Sequence, residues 1–125
     1  MISLSDQLKR IPPPTHPTVS AAIRTVREIA PQAQEIPYRS QPPSSNRAMW
    51  KLVRYAAGGA NVVGIGTFPS HATIFFYRGR ELDDAGGLLQ GSGKDSRFVT
   101  LRNPADAESP AVKRLVRQAF QLAGA

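Results

Sequence analysis

The sequence predicts an α+β fold: a two-layer sandwich in which an antiparallel meander sheet is flanked by N- and C-terminal helices. Three observations carry this expectation. Apolar residues recur at helical spacing near both ends of the chain, over 19–30 and 112–123. Between them lie three runs rich in aromatic and β-branched residues, Met49–Ala57, Asn61–Phe68 and His71–Arg78. Gly58-Gly59 and Pro69-Ser70 separate those runs, and connections this short force antiparallel neighbours, since a parallel crossover needs about a dozen residues. Strands in succession with helices outside them indicate α+β layering rather than a doubly wound sheet.

Residues 1–17 read as an N-terminal extension to a single domain covering 18–125. Leu4 and Leu8 share one face of a short helix that Pro12-Pro13-Pro14 must end, because proline lacks a backbone donor and clashes with the preceding turn. The rest of the extension is expected to be extended and to pack on the body or on a second subunit. A longer helix follows, capped by Thr15 or Thr18 and with Pro17 suited to its first turn. Val19, Ala22, Ile23, Val26 and Ile29 form its apolar face, while Arg24, Arg27 and Glu28 occupy the other. Pro31 breaks the helix, and a second short helical piece is expected through Gln34 and Glu35. Residues 40–47 form a polar, proline-rich loop.

In the third β-rich run Thr73, Phe75 and Tyr77 point one way and Ala72, Ile74 and Phe76 the other. Both sets are largely apolar, so this strand is either central or covered on its second face, for example by a partner subunit. Gly64 and Gly66 flank Ile65 on a single face, where a helix or ligand can approach the backbone closely. A glycine-rich connector spans Glu81 to Lys94, and Arg97 to Arg102 reads as a further strand ended by Asn103-Pro104. Ser109 caps the last helix and Pro110 starts it; Val112, Leu115, Val116, Ala119 and Phe120 line its apolar face.

Composition narrows the chemistry. The 125 residues include no cysteine, which excludes thiolate zinc sites, iron–sulfur clusters, cysteine nucleophiles and disulfides. No signal-peptide pattern opens the chain, and no stretch approaches the roughly 18 apolar residues needed to span a bilayer, so a cytoplasmic location without membrane association is expected. Sixteen Lys and Arg against nine Asp and Glu give a net charge of +7. That excess reads either as a well-solvated surface or as attraction for an anionic partner. No run of five like charges marks a binding arm.

Gly91-Ser92-Gly93-Lys94 invites comparison with a phosphate loop, but Leu88 and Asp95 stand where the motif needs Gly and Ser or Thr. It reads as a flexible turn or as an anion-binding nest. The candidate ligand-binding set is therefore Arg78, Arg80, Gly91, Gly93, Lys94 and Arg97. Glu81, Asp83 and Asp84 form an acidic cluster without calcium-loop spacing. His16 and His71, the two histidines, lack companions for a metal site. No catalytic residue, metal ligand or cofactor is assigned. Trp50, Tyr55, Phe68, Phe75, Phe76 and Tyr77, interleaved with Lys51, Arg54 and Arg78, offer stacking platforms for single-stranded nucleic acid or simply core.

An ordered set of motifs resembles the YdhG-like domain family. It comprises Ile29-Ala30-Pro31 with Glu35; Tyr38; Phe75-Phe76-Tyr77-Arg78-Gly79; Leu82-Asp83-Asp84; and Leu88 to Lys94 leading to Arg97-Phe98-Val99. The match covers about residues 19–123 and is most specific from Phe75 to Arg97. The resemblance implies a compact domain with a meandering sheet, Tyr38 opening that sheet, and no agreed enzyme activity. Some members look like frataxin and are discussed as iron chaperones, which would need a carboxylate ridge where this first helix carries Glu28 beside Arg24 and Arg27.

The leading expectation is a binding domain without enzymatic activity, with a small anionic ligand or an acidic protein as partner and a homodimer as its assembly. Nucleic acid ranks behind these. A frataxin-like iron chaperone and a small enzyme completed across a dimer interface are the alternatives.

Overall fold

A computed structural model describes residues 3–84 and 86–124. Among the described residues four helices and five strands follow in the order α1 (Leu4–Lys9), α2 (His16–Ile29), β1 (Gln34–Pro37), β2 (Trp50–Ala57), β3 (Ala60–Thr67), β4 (Ala72–Phe76), β5 (Arg97–Leu101), α3 (Pro104–Ala107) and α4 (Pro110–Leu122). A single 3₁₀ turn, Gly79–Glu81, follows β4. The strands form one sheet in the order β1-β2-β3-β4-β5, every pair antiparallel. The α+β sandwich is thus a pure meander with helices at both ends of the chain.

The meander follows from its turns. Ala57 pairs with Ala60, so Gly58 and Gly59 alone connect β2 to β3. Their φ angles of 59° and 79° fit the primed two-residue turn whose twist matches the flanking strands. One side of the sheet meets α2 and α4. Val53, Ile65, Ile74 and Phe76 interlock there with Val19, Ile23, Val26, Val116 and Phe120 in one buried core. Ser109 accepts a hydrogen bond from the Val112 amide and caps α4, as the Ser-Pro pair predicts. Thr15 heads α2 without a side-chain cap; its hydroxyl instead meets that of Thr67 at 3.0 Å, joining the helix start to β3.

Two local features differ from expectation. Gln34 and Glu35 are strand, not helix, because pairing with Ala56 and Tyr55 of β2 outweighs weak local propensity. Asn103-Pro104 does end β5, but it also opens the one-turn helix α3, with Asn103 accepting from the Asp106 amide. The short helix expected on Leu4 and Leu8 is α1, which carries a capping box between Ser3 and Asp6, and the segment packs on the body, burying Leu4 and Ile11 in the core. Gln7, fully enclosed, donates to the Tyr38 carbonyl at 2.8 Å and so ties α1 to the strand that precedes the proline-rich loop. Among the described residues no helix is long and apolar enough to cross a membrane.

Candidate functional site

Strand pairing divides the sheet side chains into two sets. Trp50, Val53, Tyr55, Ile65, Ile74, Phe76 and Leu101 face the helices and are almost inaccessible. The opposite set runs in two rows across the strands: Lys51, Gly66, Thr73 and Thr100, then Ile36, Arg54, Gly64, Phe75 and Phe98. Among the described residues no helix covers this second face. It builds its own thin layer of rings instead.

Phe75 starts that layer. A Cβ placed on Gly64 would lie 2.2 Å from Phe75 Cζ, so the ring lies flat across β3 in the space the absent side chain leaves. Met49 fills the corresponding space over Gly66. Phe75 is 6% exposed yet stands apart from the main core cluster. Tyr77, just beyond β4, packs against it with ring centroids 5.7 Å apart. Tyr38, just beyond β1, reaches across β2 and β3 to hydrogen-bond the Tyr77 hydroxyl. Burial, with the Tyr38 hydrogen bond second, pushes the Tyr77 phenol well above its ordinary range, so the Tyr77 hydroxyl keeps its proton at neutral pH.

Two cations sit on the rings. Lys51 Nζ lies 5.8 Å from the Tyr38 centroid and 5.6 Å from that of Phe75, and the Arg54 guanidinium lies 5.1 Å from Tyr38. Neither is ion-paired among the described residues, where the four pairs are Arg24–Glu108, Arg27–Glu35, Arg78–Glu81 and Arg80–Asp95. No Asp or Glu occupies either row of this face. Glu35, a strand carboxylate, shares the helix-facing side with Tyr55. Phe98, 37% exposed, ends the second row next to Phe75. The result is an open, cationic, aromatic surface.

The residues singled out in the connector gather at the neighbouring edge. The Arg80 amide bonds the Asp95 carbonyl at 2.9 Å, and the Arg97 backbone packs under Gly79, which joins the 3₁₀ turn to the 91–97 loop. Their charges are largely engaged within the chain. Arg78 holds Glu81 through two bonds of 2.6 and 2.7 Å and also donates to the Leu122 carbonyl. Arg80 faces Asp95 at 3.7 Å. Arg97 donates to the carbonyls of Gly93 and Ser96, closing the turn on itself. Lys94 is exposed and absent from those ion pairs. Gly91 backs onto the Phe98 ring, while Gln90 exchanges both backbone bonds with Phe98, so this loop forms the rim of the open face.

The remaining candidates are dispersed. Asp84 accepts from the Leu88 and Leu89 amides and shapes the connector. His71 stacks on Phe68 at 4.6 Å, and burial, reinforced by Arg102, lowers its pKa. Of the aromatics proposed as platforms, Trp50, Tyr55 and Phe76 belong to the core, and only Phe75 and Tyr77 join the open face. Near the first long helix, Glu35 is held by Arg27 through two bonds of 2.8 Å and by the Tyr55 hydroxyl. Among the described residues no cluster of three His, Asp or Glu is placed to hold a metal ion. A cleft of about 480 Å³ lies on the helix side, bounded by Ile29, Ala33, Ala57 and Phe120, with Arg117 at its edge.

Sequence reasoning missed the two residues that complete the open face. Tyr38 follows an edge strand that local propensity did not reveal, and Phe98 lies in a strand expected over Arg97 to Arg102 but with no role assigned to its ring. The alternation of Thr73, Phe75 and Tyr77 held the needed signal once combined with the glycines of β3. No protein-family model, no curated protein and no solved structure matches this chain.

Proposed function

We propose that this protein is a binding domain that engages an anionic partner across the open face of its sheet. One observation carries the reading. The face opposite the helices presents Lys51 and Arg54 on a layer of rings, with no carboxylate in either of its rows. A cation without a counter-charge, held over aromatic rings, is available to an incoming anion. The net charge of +7 steers such a partner toward the chain. The arginines of the 78–97 region are already satisfied by Glu81, Asp95 and backbone carbonyls, so the open face is the better-supplied surface. The resemblance of Phe75 to Arg97 to YdhG-like domains belongs to the same proposal, since it brings no agreed enzyme activity.

Retention of the protein on phosphocellulose tests this. Lys51→Ala/Arg54→Ala and Lys94→Ala/Arg97→Ala remove the same net charge from the two surfaces. The open-face variant is expected to elute at clearly lower salt than the loop variant. Elution of both at the same salt, or earlier elution of the loop variant, overturns the assignment to the open face.

A further inference from the structure

We infer that the anionic partner is a single-stranded nucleic acid, whose bases stack on the exposed rings while its phosphates meet Lys51 and Arg54. This inference rests on the open-face reading above and adds the class of ligand. Charge alone would suit any polyanion, an acidic peptide included. The rings are what discriminate.

Phe98 leaves 37% of its surface open, whereas every helix-facing aromatic of the sheet is closed. Tyr38 and Tyr77 are half-buried and braced against each other by their hydroxyl pair, which fixes their rings without covering them. A polymer that alternates negative charge with flat π faces matches cations alternating with rings, and nucleotides supply both groups at each step. An acidic peptide supplies the charge without the faces.

Shape excludes the duplex. The rows of this face cross four and five strands of a sheet, and among the described residues neither a helix nor a two-stranded ribbon projects from it to enter a major groove. Bases in a duplex are stacked on each other and present only their edges, so the rings would find nothing to stack on. An unpaired strand lying across the sheet places its bases over Phe98 and the Tyr38–Tyr77 pair, with Gly91 and Gln90 forming the rim at β5. Lys51 and Arg54, one in each row, then sit on the path of the backbone.

Fluorescence anisotropy with labelled twelve-nucleotide oligo-uridine and oligo-thymidine tests the inference, using the full chain. Competitors are a duplex of equal length and an inorganic polyphosphate of equal charge. Binding of the single strands is expected, with both competitors at least tenfold weaker. Phe98→Leu keeps an apolar side chain on the strand and removes only the ring, so it should lower affinity by roughly tenfold. Lys51→Ala/Arg54→Ala should flatten the dependence of log affinity on log salt by about 1.4, since each phosphate contact on a single strand contributes about 0.7. If polyphosphate or duplex competes as well as the single strand, or Phe98→Leu binds unchanged, the nucleic-acid inference fails while the anionic open face stands. If no polyanion binds, or the Lys51/Arg54 variant binds each one unchanged, both fail.

Discussion

The two faces of one sheet are built from alternate residues of the same strands, yet they solve burial differently. On the helix side, Val53, Ile65, Ile74 and Phe76 interlock with α2 and α4, and exposure falls to 0–1%. On the other side no second layer arrives, and the chain covers itself by laying Phe75 over Gly64 and bridging Tyr38 to Tyr77. The first face is closed by shape complementarity between elements. The second is thin, charged and one side chain deep. A face of that kind contributes less to folding and leaves rings and cations available to a partner, which is why binding is assigned to it.

The largest expected effect separates the faces by stability. Phe76→Ala opens a cavity in the closed core and should cost about 3–5 kcal/mol. Phe98→Ala removes a ring that water already reaches and should cost about 1 kcal/mol or less. Urea denaturation of the two variants measures the contrast. Comparable losses would mean that the open face is as structural as the core, and the division drawn here would be wrong.

Gly64→Ala comes next. Its backbone is ordinary for a strand, so the cost comes from displacing the Phe75 ring, about 1–3 kcal/mol. A double-mutant cycle with Phe75→Leu should recover much of the loss, because the smaller side chain can vacate the space. Additive losses would show that Gly64 serves another purpose than seating the ring.

These glycines show how far the sequence carries. Their shared face was legible, and so was a close approach to the backbone, but the approaching groups are Phe75 over Gly64 and Met49 over Gly66, not a helix or ligand. The meander, the turn at Gly58-Gly59 and the Ser109-Pro110 helix start were legible because each rests on local chemistry. β1 was not, since Gln34 to Pro37 has little strand character and is held by β2 alone. With β1 misread, Tyr38 was placed at the opening of the sheet by resemblance alone, its pairing with Tyr77 was not visible, and the ring layer could not be assembled. Likewise, the cations of the 78–97 region were visible as a cluster, whereas their pairing with Glu81 and Asp95 depends on how the connector folds back.

At the rim of the closed face, Glu35 sharpens the contrast through pH. Hydrogen bonds from Arg27, then from Tyr55, hold its carboxyl below the ordinary value. The folded state therefore binds this proton less readily than the unfolded chain. The resulting stability is present in full above about pH 4.5 and is lost as pH falls through the folded value. Arg27 is largely exposed, which limits the ion pair to about 0.5–1 kcal/mol. Glu35→Gln should lose that amount at pH 7 and flatten the acid limb of stability. Glu35→Ala should lose about 1–3 kcal/mol, because the buried Tyr55 hydroxyl then lacks its acceptor. Chemical denaturation from pH 3 to 7 would read both, and an acid limb unchanged in Glu35→Gln would remove Glu35 from the account.

The smallest effect has the opposite sign. Thr73 belongs to the open face but is 2% exposed, and its hydroxyl has no hydrogen-bond partner. An enclosed polar group without a partner costs free energy that an apolar group of the same shape does not. Thr73→Val keeps the β-branch suited to a strand and should stabilise the protein by about 0.5–1 kcal/mol, a rise of a few degrees in Tm for a domain of this size. Because Val adds no charge or ring and Thr73 lies beneath the surface, nucleic-acid affinity should stay within twofold. A stabilised variant with intact binding would show that the layer's interior is packing and its function sits in the rings and cations above. Lost binding at gained stability would instead mark the Thr73 hydroxyl as a group kept free for the ligand, and would move the site deeper into the sheet than the rings alone imply.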